Sequence, residues 1–572
     1  MLMEQNWRYR LSDFDHAVFD ALLPAEHSLR DMLECIPWEE FTPILEGYYD
    51  PNRGQPAIKP LIILKLEFLR YVYRLSDRQV VDRGGTDVLF RYFLQIPVSF
   101  QLPDASVLAK FRGRIGPEGF KAMFDRLVGC AREAGLVQDR LRLKDASHVI
   151  ANIAVPTVLK LLGQIRDRLI DSLAKFDSEM SSGFRMATDQ MREQTEGLDP
   201  EARLESRVLL VRDILDGIKQ LIPPAEANTN VDWQKLQALR QVAEKILDDQ
   251  AHPEKGHRTV SVVDKDARRG KHGDWYDGYV LDVLMDADSE IITQIAVLEA
   301  GGDEAKSAIS LLNSEQQTHG NQVEQMSIDG AGFNGAMLRE IENPEGLNVK
   351  VFTPPKDLPV NEDLFPSSAF KLSEDGRSVT CPGNQTSSYS QTASRGSGMI
   401  LRFTRPQCDS CAFVAQCVTT PQSGAFGRTV RKNEYEAEYD RARERAETEE
   451  YASIRRQHPA IERKLNDVMN YCGGRFAKYW GHEKVRIQQY MCCMTSNIKQ
   501  ITRLIVSGCA VNNWVPAQCS VATYSRIERN SNTPRRESQE NAKTAGNIGG
   551  KSLLPSVSYG SVSYGSVSYA SI

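Results

Sequence analysis

The hydrophobic pattern changes its period well before the middle of the chain, and no other feature constrains the fold as strongly. In residues 60–83, apolar side chains recur every three or four positions, which is typical of buried helices. At 140–155, Leu141 and Leu143 begin a two-residue alternation that predicts a strand. Residues 1–138 are therefore predicted to form a helical N-terminal domain.

After that strand the chain is predicted to continue as one α/β domain over residues 139–510, with two insertions. Residues 156–255 return to long, charged helices, whereas residues 355–430 are polar, irregular and rich in Pro, Ser and Gly. Between the insertions, a strand hairpin at 277–300 is followed by alternating helix and strand signals. Helical periodicity returns over 433–506. The predicted fold class is multidomain α+β.

Length and composition agree with several domains. The 572 residues exceed the roughly 250–300 at which a single hydrophobic core stops growing. With 41% hydrophobic and 26% charged residues, the chain as a whole is not disordered, but the SVSYG repeats predict a disordered, low-complexity tail at 511–572. Because no apolar stretch reaches about 18 residues and the N-terminus lacks a signal core, we expect a cytoplasmic protein without a membrane partner.

Three acidic residues stand out by their position relative to the predicted elements. Asp145 ends the first strand, Asp329 ends a later strand at a Gly-Ala-Gly turn, and Glu462 lies on a helix rich in basic residues. Clustered carboxylates repel one another unless a cation compensates them, and Mg²⁺ is a hard ion that binds carboxylates, waters and phosphate oxygens. Two such ions serve phosphoryl transfer. Because the chain has 76 acidic residues, helix caps and turns are the alternative interpretation.

Four of the eleven cysteines lie close together in the second insertion, and their spacing is C-x26-C-x2-C-x5-C. In an intracellular protein this pattern favours metal binding over disulfides. Four thiolates suit a structural Zn²⁺, which would fold a segment too polar to form its own core. Unliganded reduced thiols and an iron–sulfur cluster are the alternatives. The candidate ligands are Cys381, Cys408, Cys411 and Cys417.

Basic residues concentrate around Glu462, although the net charge of the chain is −6. Residues 452–503 contain ten Lys or Arg against three Asp or Glu, an excess that suits a phosphate backbone. A solvated helix face is the alternative interpretation. The candidate phosphate contacts are Arg268, Arg269, Lys271, Arg456, Arg463, Lys464, Arg475, Lys478, Lys484 and Arg486.

Three further residues are weaker candidates for the same chemistry. Asp264 and Asp266 carry metal-ligating groups, but a turn explains their spacing better. His148 follows Asp145 by three positions, and a histidine with satisfied hydrogen bonds on the sheet is the more common situation.

Several motifs, in this order along the chain, resemble the DDE transposases of bacterial insertion sequences. They include KDASHVIANIAV (144–155), IDGAGFNG (328–335) and the segment 461–501, and they extend over residues 20–510. The resemblance implies a helical N-terminal transposase domain that binds DNA. It also implies a ribonuclease H-like catalytic domain interrupted by both insertions, and related transposases carry similar cysteines in the second.

By position, the resemblance makes Asp145, Asp329 and Glu462 the catalytic ligands of two Mg²⁺ or Mn²⁺ ions. It implies cleavage and strand transfer of double-stranded DNA at the ends of an element, by a nucleoid-associated homodimer. Related transposases often have an Arg four residues before the Glu and a Lys seven residues after it, where this chain has His458 and Met469. The candidate replacement cations are Arg456, Lys464 and Arg475.

Two other functions stay open from the sequence. An inactive or domesticated transposase would bind DNA without cleaving it, as the missing Lys and the repetitive tail suggest. A ribonuclease H-like nuclease would share the site and lack transposition. The three intact acidic residues favour the transposase.

Overall fold

The computed structural model describes residues 6–508, except for several short gaps, and the predicted tail at 511–572 lies outside the described residues. Among the helices of this described part, none is long and apolar enough to cross a membrane. The gaps are residues 51, 54–56, 225, 253–257, 357–363, 374, 393–397 and 419–425.

Helices account for the regular structure of the first 138 residues wherever these are described, as predicted. Ser76 begins one of them with a capping box, because its side chain accepts from the Gln79 amide and the Gln79 side chain accepts from the Ser76 amide. The longest helix bends at Gly116, whose φ of +64° is non-helical. The helices are α1 (Asp13–Leu22), α2 (Ser28–Cys35), α3 (Thr42–Glu46), α4 (Pro60–Val72), α5 (Asp77–Thr86), α6 (Val88–Leu94) and α7 (Ser106–Glu133).

A six-stranded mixed sheet follows, and its strands appear where the alternation predicted them, with one addition. The strands are β1 (Leu141–Ile150), β2 (Arg268–His272), β3 (Asp274–Asp286), β4 (Ile292–Glu299), β5 (Gln325–Ile328) and β6 (Lys350–Phe352). The added strand, β2, was not predicted because its charged sequence, RRGKH, gives no alternation. Strand β3 pairs antiparallel with β1, β2 and β4, while β1, β5 and β6 run parallel. Helix α12 (Glu304–His319) connects β4 to β5, and α13 (Gly335–Ile341) connects the parallel strands β5 and β6.

The two faces of the sheet pack against different helices. Leu141 and Leu143 of β1 belong to a core shared with the N-terminal helices and with α18 (His482–Val506). The opposite face, which includes Leu284 of β3, packs on α12 and α13. The helical N-terminal region and the sheet therefore share one continuous hydrophobic core.

The segment between β1 and β2 is helical, as predicted for residues 156–255, and it has a core of its own. That core contains Leu162, Ile165 and Leu169 together with apolar side chains of the three helices that follow. The helices are α8 (Val158–Leu173), α9 (Ser178–Gln194), α10 (Pro200–Lys219) and α11 (Val231–Ala251).

The cysteine-bearing segment contains more regular structure than the sequence predicted for residues 355–430. Its strands were not predicted because they are short and lie among polar residues, and β9 is exposed along its whole length. They form a two-stranded and a three-stranded sheet around a small core. The elements are β7 (Lys371–Leu372), β8 (Val379–Thr380), β9 (Tyr389–Thr392), β10 (Met399–Thr404), α14 (Arg405–Asp409) and β11 (Phe426–Lys432).

The C-terminal part is helical, as predicted for 433–506, but a non-helical loop interrupts it. We call residues 472–481 the bridge loop, because it lies between a π-helical turn (Asp467–Tyr471) and α18. The helices before it are α15 (Glu436–Ala446), α16 (Glu449–Gln457) and α17 (Pro459–Asn466).

Candidate active site

Two of the three predicted acidic residues occupy neighbouring positions on adjacent parallel strands. Lys144 of β1 pairs with Ile328 of β5, so the residues that follow them, Asp145 and Asp329, lie side by side. Adjacent strands are about 4.8 Å apart, and paired residues point to the same face of a sheet. Asp145 lies within β1 rather than at its end, since β1 continues for five residues beyond it. The β5 ladder stops at Asp329, which begins the Gly-Ala-Gly turn and accepts a hydrogen bond from the Ala331 amide.

The third acid, Glu462, comes from a helix that is anchored to the same two strands. Helix α17 packs against β1, and His458 at its start lies 3.2 Å from Ser327 Oγ through its Nδ1. Ser327 precedes Asp329 by two positions and therefore shares its face of the sheet. Glu462 follows His458 by four positions, one helical turn along the same face of the helix. Glu462 therefore lies one helical turn beyond the His458–Ser327 contact, in the direction of the two aspartates.

The charges of the three acids act on one another. Burial raises the pKa of the Asp145 carboxyl to about 7, and the negative charges of Asp329 and Glu462 contribute to the rise. None of the three carboxylates forms an ion pair with the residues that the structure describes. Clustered carboxyl oxygens without a compensating cation are a donor set that fits Mg²⁺ or Mn²⁺. Within the described ranges, however, no three acidic, histidine or cysteine side chains are already arranged around a common metal position.

Sequence reasoning did not identify the residues that orient the Glu462 helix. Arg455 Nη1 donates to Ser327 Oγ at 3.1 Å and to the Ile328 carbonyl at 2.9 Å, which joins α16 to the end of β5. His458 is buried, and burial lowers its pKa to about 4, so its ring is neutral. The i,i+4 spacing of His458 and Glu462 is the signal from which this anchor could have been predicted.

The bridge loop brings Arg475 to the end of β1 that extends beyond β5. Ile150 pairs with this loop, since its amide donates to the Arg475 carbonyl and its carbonyl accepts from the Ala477 amide, both at 2.8 Å. Arg475 Nη1 lies 3.3 Å from Ser147 Oγ and 3.0 Å from the His148 carbonyl oxygen. Ser147 shares the face of Asp145, two residues along β1. In the described part of the chain, Nε and Nη2 of Arg475 have no hydrogen-bond partner.

Within the residues that the structure describes, the other two candidate replacement cations, Lys464 and Arg456, do not hydrogen-bond to β1 as Arg475 does. Lys464 is buried, with only 6% of its surface exposed, and burial lowers the pKa of its ammonium group. It is therefore not presented to DNA, which corrects the prediction. Arg456 is exposed on α16, and its Nε donates to the Ala452 carbonyl of its own helix.

The remaining predicted phosphate contacts fall into buried and exposed groups. Arg268 is 9% exposed and donates to the Lys265 and Ala267 carbonyls, so it stabilises a turn, and its prediction as a phosphate contact is also corrected. Three others form ion pairs, Arg269 with Asp277, Arg486 with Glu118, and Arg463 with Glu290 at 3.7 Å. The candidates that complete the set, Lys271, Lys478 and Lys484, are exposed, as is Arg463.

Asp264 and Asp266 hold the start of α18. Asp264 Oδ1 accepts from the Gly481 amide at 3.1 Å and from Tyr279 Oη at 2.6 Å. Asp266 accepts from the His482 amide at 3.0 Å. These bonds satisfy amides at a helix N-terminus that has no side-chain cap of its own. The turn interpretation of the two residues is therefore confirmed.

A buried network joins the bridge loop to the N-terminal helices. Glu67 of α4 is fully buried and pairs with Arg70 and Arg112. Arg70 also donates to Tyr479 Oη at 2.7 Å, and the Arg112 guanidinium lies over the Tyr479 ring. The loop that positions Arg475 is thus held by charged side chains more than 350 residues earlier in the chain.

The four cysteines of the second insertion approach one another without forming disulfides. A Cβ added at Gly383 would lie 3.0 Å from Cys411 Sγ and 3.7 Å from Cys381 Sγ, so both sulfurs face this glycine. Burial raises the pKa of the Cys417 thiol, and the charges of the other three sulfurs raise it further. Four sulfur donors are the set that Zn²⁺ prefers, although they do not surround a common metal position here.

Comparisons with known proteins find two transposase families in separate parts of the chain. The family described as Transposase domain (DUF772) matches residues 17–114, and the family described as Transposase DDE domain matches residues 380–502. "Uncharacterized protein ORF8 in nfe locus" from Rhizobium meliloti is 30% identical over 171 residues, which are 29% of this chain and 82% of the relative. No solved structure matches the chain.

Proposed function

Because the chain belongs to the DDE transposases of insertion sequences, we propose that it cleaves DNA at the ends of such an element and joins the resulting 3′ ends to target DNA. The observation that supports this proposal is the pairing of Lys144 with Ile328, because the residues that follow them, Asp145 and Asp329, are close enough for the charge of Asp329 to raise the pKa of Asp145. A DDE transposase domain implies a ribonuclease H-like fold, and the mixed sheet agrees with it.

In this proposal Asp145, Asp329 and Glu462 supply the carboxylate oxygens that bind divalent ions. Bound Mg²⁺ or Mn²⁺ would supply an activated water or 3′-hydroxyl and stabilise the leaving oxygen. Strand β1 and the end of β5 hold the two aspartates rigidly. The Ser327–His458 contact sets the position of the Glu462 helix relative to these strands. The mutual repulsion of the acids disfavours the metal-free state and so favours cation binding.

Arg475 replaces the missing lysine as the cation beside the carboxylates. Its Nη1 is held by β1, which leaves Nε and Nη2 to donate to a phosphate oxygen. The exposed candidates Lys271, Arg463, Lys478 and Lys484 extend the contact along the DNA backbone. The N-terminal helices bind the element end, and a homodimer brings two ends together.

We also propose that Cys381, Cys408, Cys411 and Cys417 bind one structural Zn²⁺. The supporting observation is the small core of this segment, which has few buried apolar residues besides Cys417. A bound metal ion would stabilise the fold of this segment, which its small hydrophobic core stabilises only weakly.

The test of the catalytic proposal is cleavage of a plasmid that carries the element's own ends, in Mg²⁺ or Mn²⁺. Asp145→Asn and Asp329→Asn should reduce cleavage below detection and leave DNA binding unchanged. Asp20→Asn, at an exposed position on α1, is the matched control and should cleave like the wild type. If the wild type binds the ends but never cleaves them, the chain is an inactive DNA-binding derivative.

A further inference from the structure

A cleft of about 600 Å³ lies between the four-helix segment and the two loops that precede β2 and α18. One wall comes from α8 and α11, and the other comes from Val262, Val263 and Lys265 together with Trp480 and Gly481 of the bridge loop. Its volume lies in the range of sites that bind molecules of nucleotide size. It is separate from the three carboxylates.

Trp480 is fixed in place and yet exposed to this cleft. Its Nε1 donates to the Asn152 carbonyl at 3.0 Å, and the next residue, Gly481, is held by Asp264. The side chain nevertheless leaves 53% of its surface exposed. A large aromatic ring stabilises a protein mainly by burying its area, so a ring held rigidly in contact with water is suited to a partner that covers it.

The charge around the ring is positive. Arg168, Lys175, Lys235 and Lys265 line the cleft with Asp171, so its lining carries more positive than negative charge. Asp232, outside the lining, pairs with Lys175 at 2.6 Å and with Lys235 at 3.9 Å. The apolar part of the wall includes Val263, which is itself exposed. An aromatic platform surrounded by cations is the combination that binds unpaired nucleotides, because the base stacks and the phosphate is neutralised.

The cleft also lies close to the three carboxylates along the chain. Asn152, which holds the Trp480 ring, follows Asp145 by seven residues, a span of at most about 25 Å. A DNA strand that leaves the carboxylates along the part of β1 that extends beyond β5 passes Arg475 and then reaches Trp480, since both belong to the bridge loop. We propose that this cleft binds an unpaired nucleotide of the DNA strand that flanks the scissile phosphate, with its base stacked on Trp480. This inference rests on the proposed function.

The test compares binding of a short mixed-sequence single strand with binding of the same sequence as a duplex, by fluorescence anisotropy on the full chain. Trp480→Ala should weaken single-strand binding about tenfold, the effect expected for one stacked base, and leave duplex binding within about twofold. Trp480→Phe, which keeps a stacking face and loses the Nε1–H donor, should recover most of the loss. Lys265→Ala should flatten the salt dependence of single-strand binding by about 0.7 logarithmic units.

Trp275 provides the matched control, because it is 68% exposed on the β2–β3 hairpin and does not line the cleft. Trp275→Ala should leave single-strand binding unchanged. Equal single-strand affinities of the wild type and Trp480→Ala would overturn the inference, and so would an equal loss in Trp480→Ala and Trp275→Ala. Failure of the transposase proposal is distinguishable, because the plasmid-cleavage assay reports it separately from the single-strand binding that depends on Trp480.

Discussion

The two faces of β1 carry charge in opposite ways. On the face toward α12, Arg142 pairs with Asp286 at 2.9 Å and Glu315 at 2.7 Å. Lys144 pairs with Asp282 at 3.0 Å on that same face. On the other face, Asp145 lies beside Asp329 and near Glu462, and none of these forms an ion pair with described residues.

The presence or absence of a charged partner distinguishes the buried ion pairs on one face of β1 from the candidate metal-binding acids on the other. Buried charges with well-placed partners are compatible with a stable fold, although they contribute little net stability. Adjacent acids without a partner are unfavourable in the protein alone and persist where a ligand supplies the opposite charge. Because side chains alternate along β1, the ion-pair network lies on one face of the sheet and the candidate metal site lies on the opposite face.

Removing a charge should have opposite consequences on the two faces. Arg142→Met leaves Asp286 and Glu315 buried without their cation, so we expect the free energy of unfolding to fall by about 3–5 kcal/mol. Asp145→Asn removes an uncompensated charge and should cause no loss near neutral pH. Urea denaturation of both variants measures the contrast, which equal losses would contradict.

Acidification should destabilise the anchor of Glu462. His458 has a pKa of about 4 in the fold against 6.5 for an unperturbed histidine, so the fold favours its neutral form. Its contribution to stability is complete above pH 6.5 and is lost as the pH falls toward 4, by up to about 3 kcal/mol. His458→Gln retains a polar contact for Ser327 and cannot titrate in this range. Its stability should fall less between pH 6.5 and 4 than that of the wild type, and parallel curves would exclude this role.

The four cysteines form a third cluster of side chains that would need a bound cation, beside the ion pairs and the acids of β1. Metal analysis of the purified protein should return about one zinc per chain. Cys408→Ser should lose that zinc and make residues 367–432 more sensitive to proteolysis, with DNA cleavage reduced less than by Asp145→Asn. Cys35→Ser is the control, because Cys35 is buried in the N-terminal core. A zinc content near zero would favour reduced thiols.

The smallest expected effect concerns the salt dependence of duplex binding. Replacing Arg475 and Lys478 together by Ala should flatten the slope of log affinity against log salt by one to two units, at about 0.9 per phosphate contact. Lys464→Ala, at a buried lysine, should leave the slope unchanged. An unchanged slope in the double variant would mean that the bridge loop does not touch DNA.

The sequence predicted the helices and strands well where the signal was local. Asp329 could be identified because a short apolar strand leads directly into a glycine-rich turn, and the alternation around Leu141 located β1. The catalytic roles of these residues remain predictions. Burial of charged side chains could not be predicted, because the long apolar stem of Lys464 is compatible with both water and a core. The bridge loop depends on contacts with Arg70, which is distant in sequence and leaves no local signal.

The central claim is that Asp145, Asp329 and Glu462 form one metal site, and anomalous diffraction from crystals soaked in Mn²⁺ tests it most directly. We expect a peak between the Asp145 and Asp329 carboxylates, about 2.1 Å from their oxygens, that disappears in Asp145→Asn. Asp264 is the internal alternative, because its buried Oδ2 has no hydrogen-bond partner in the described part of the chain. Mn²⁺ bound at Asp264, with none between Asp145 and Asp329, would contradict the claim.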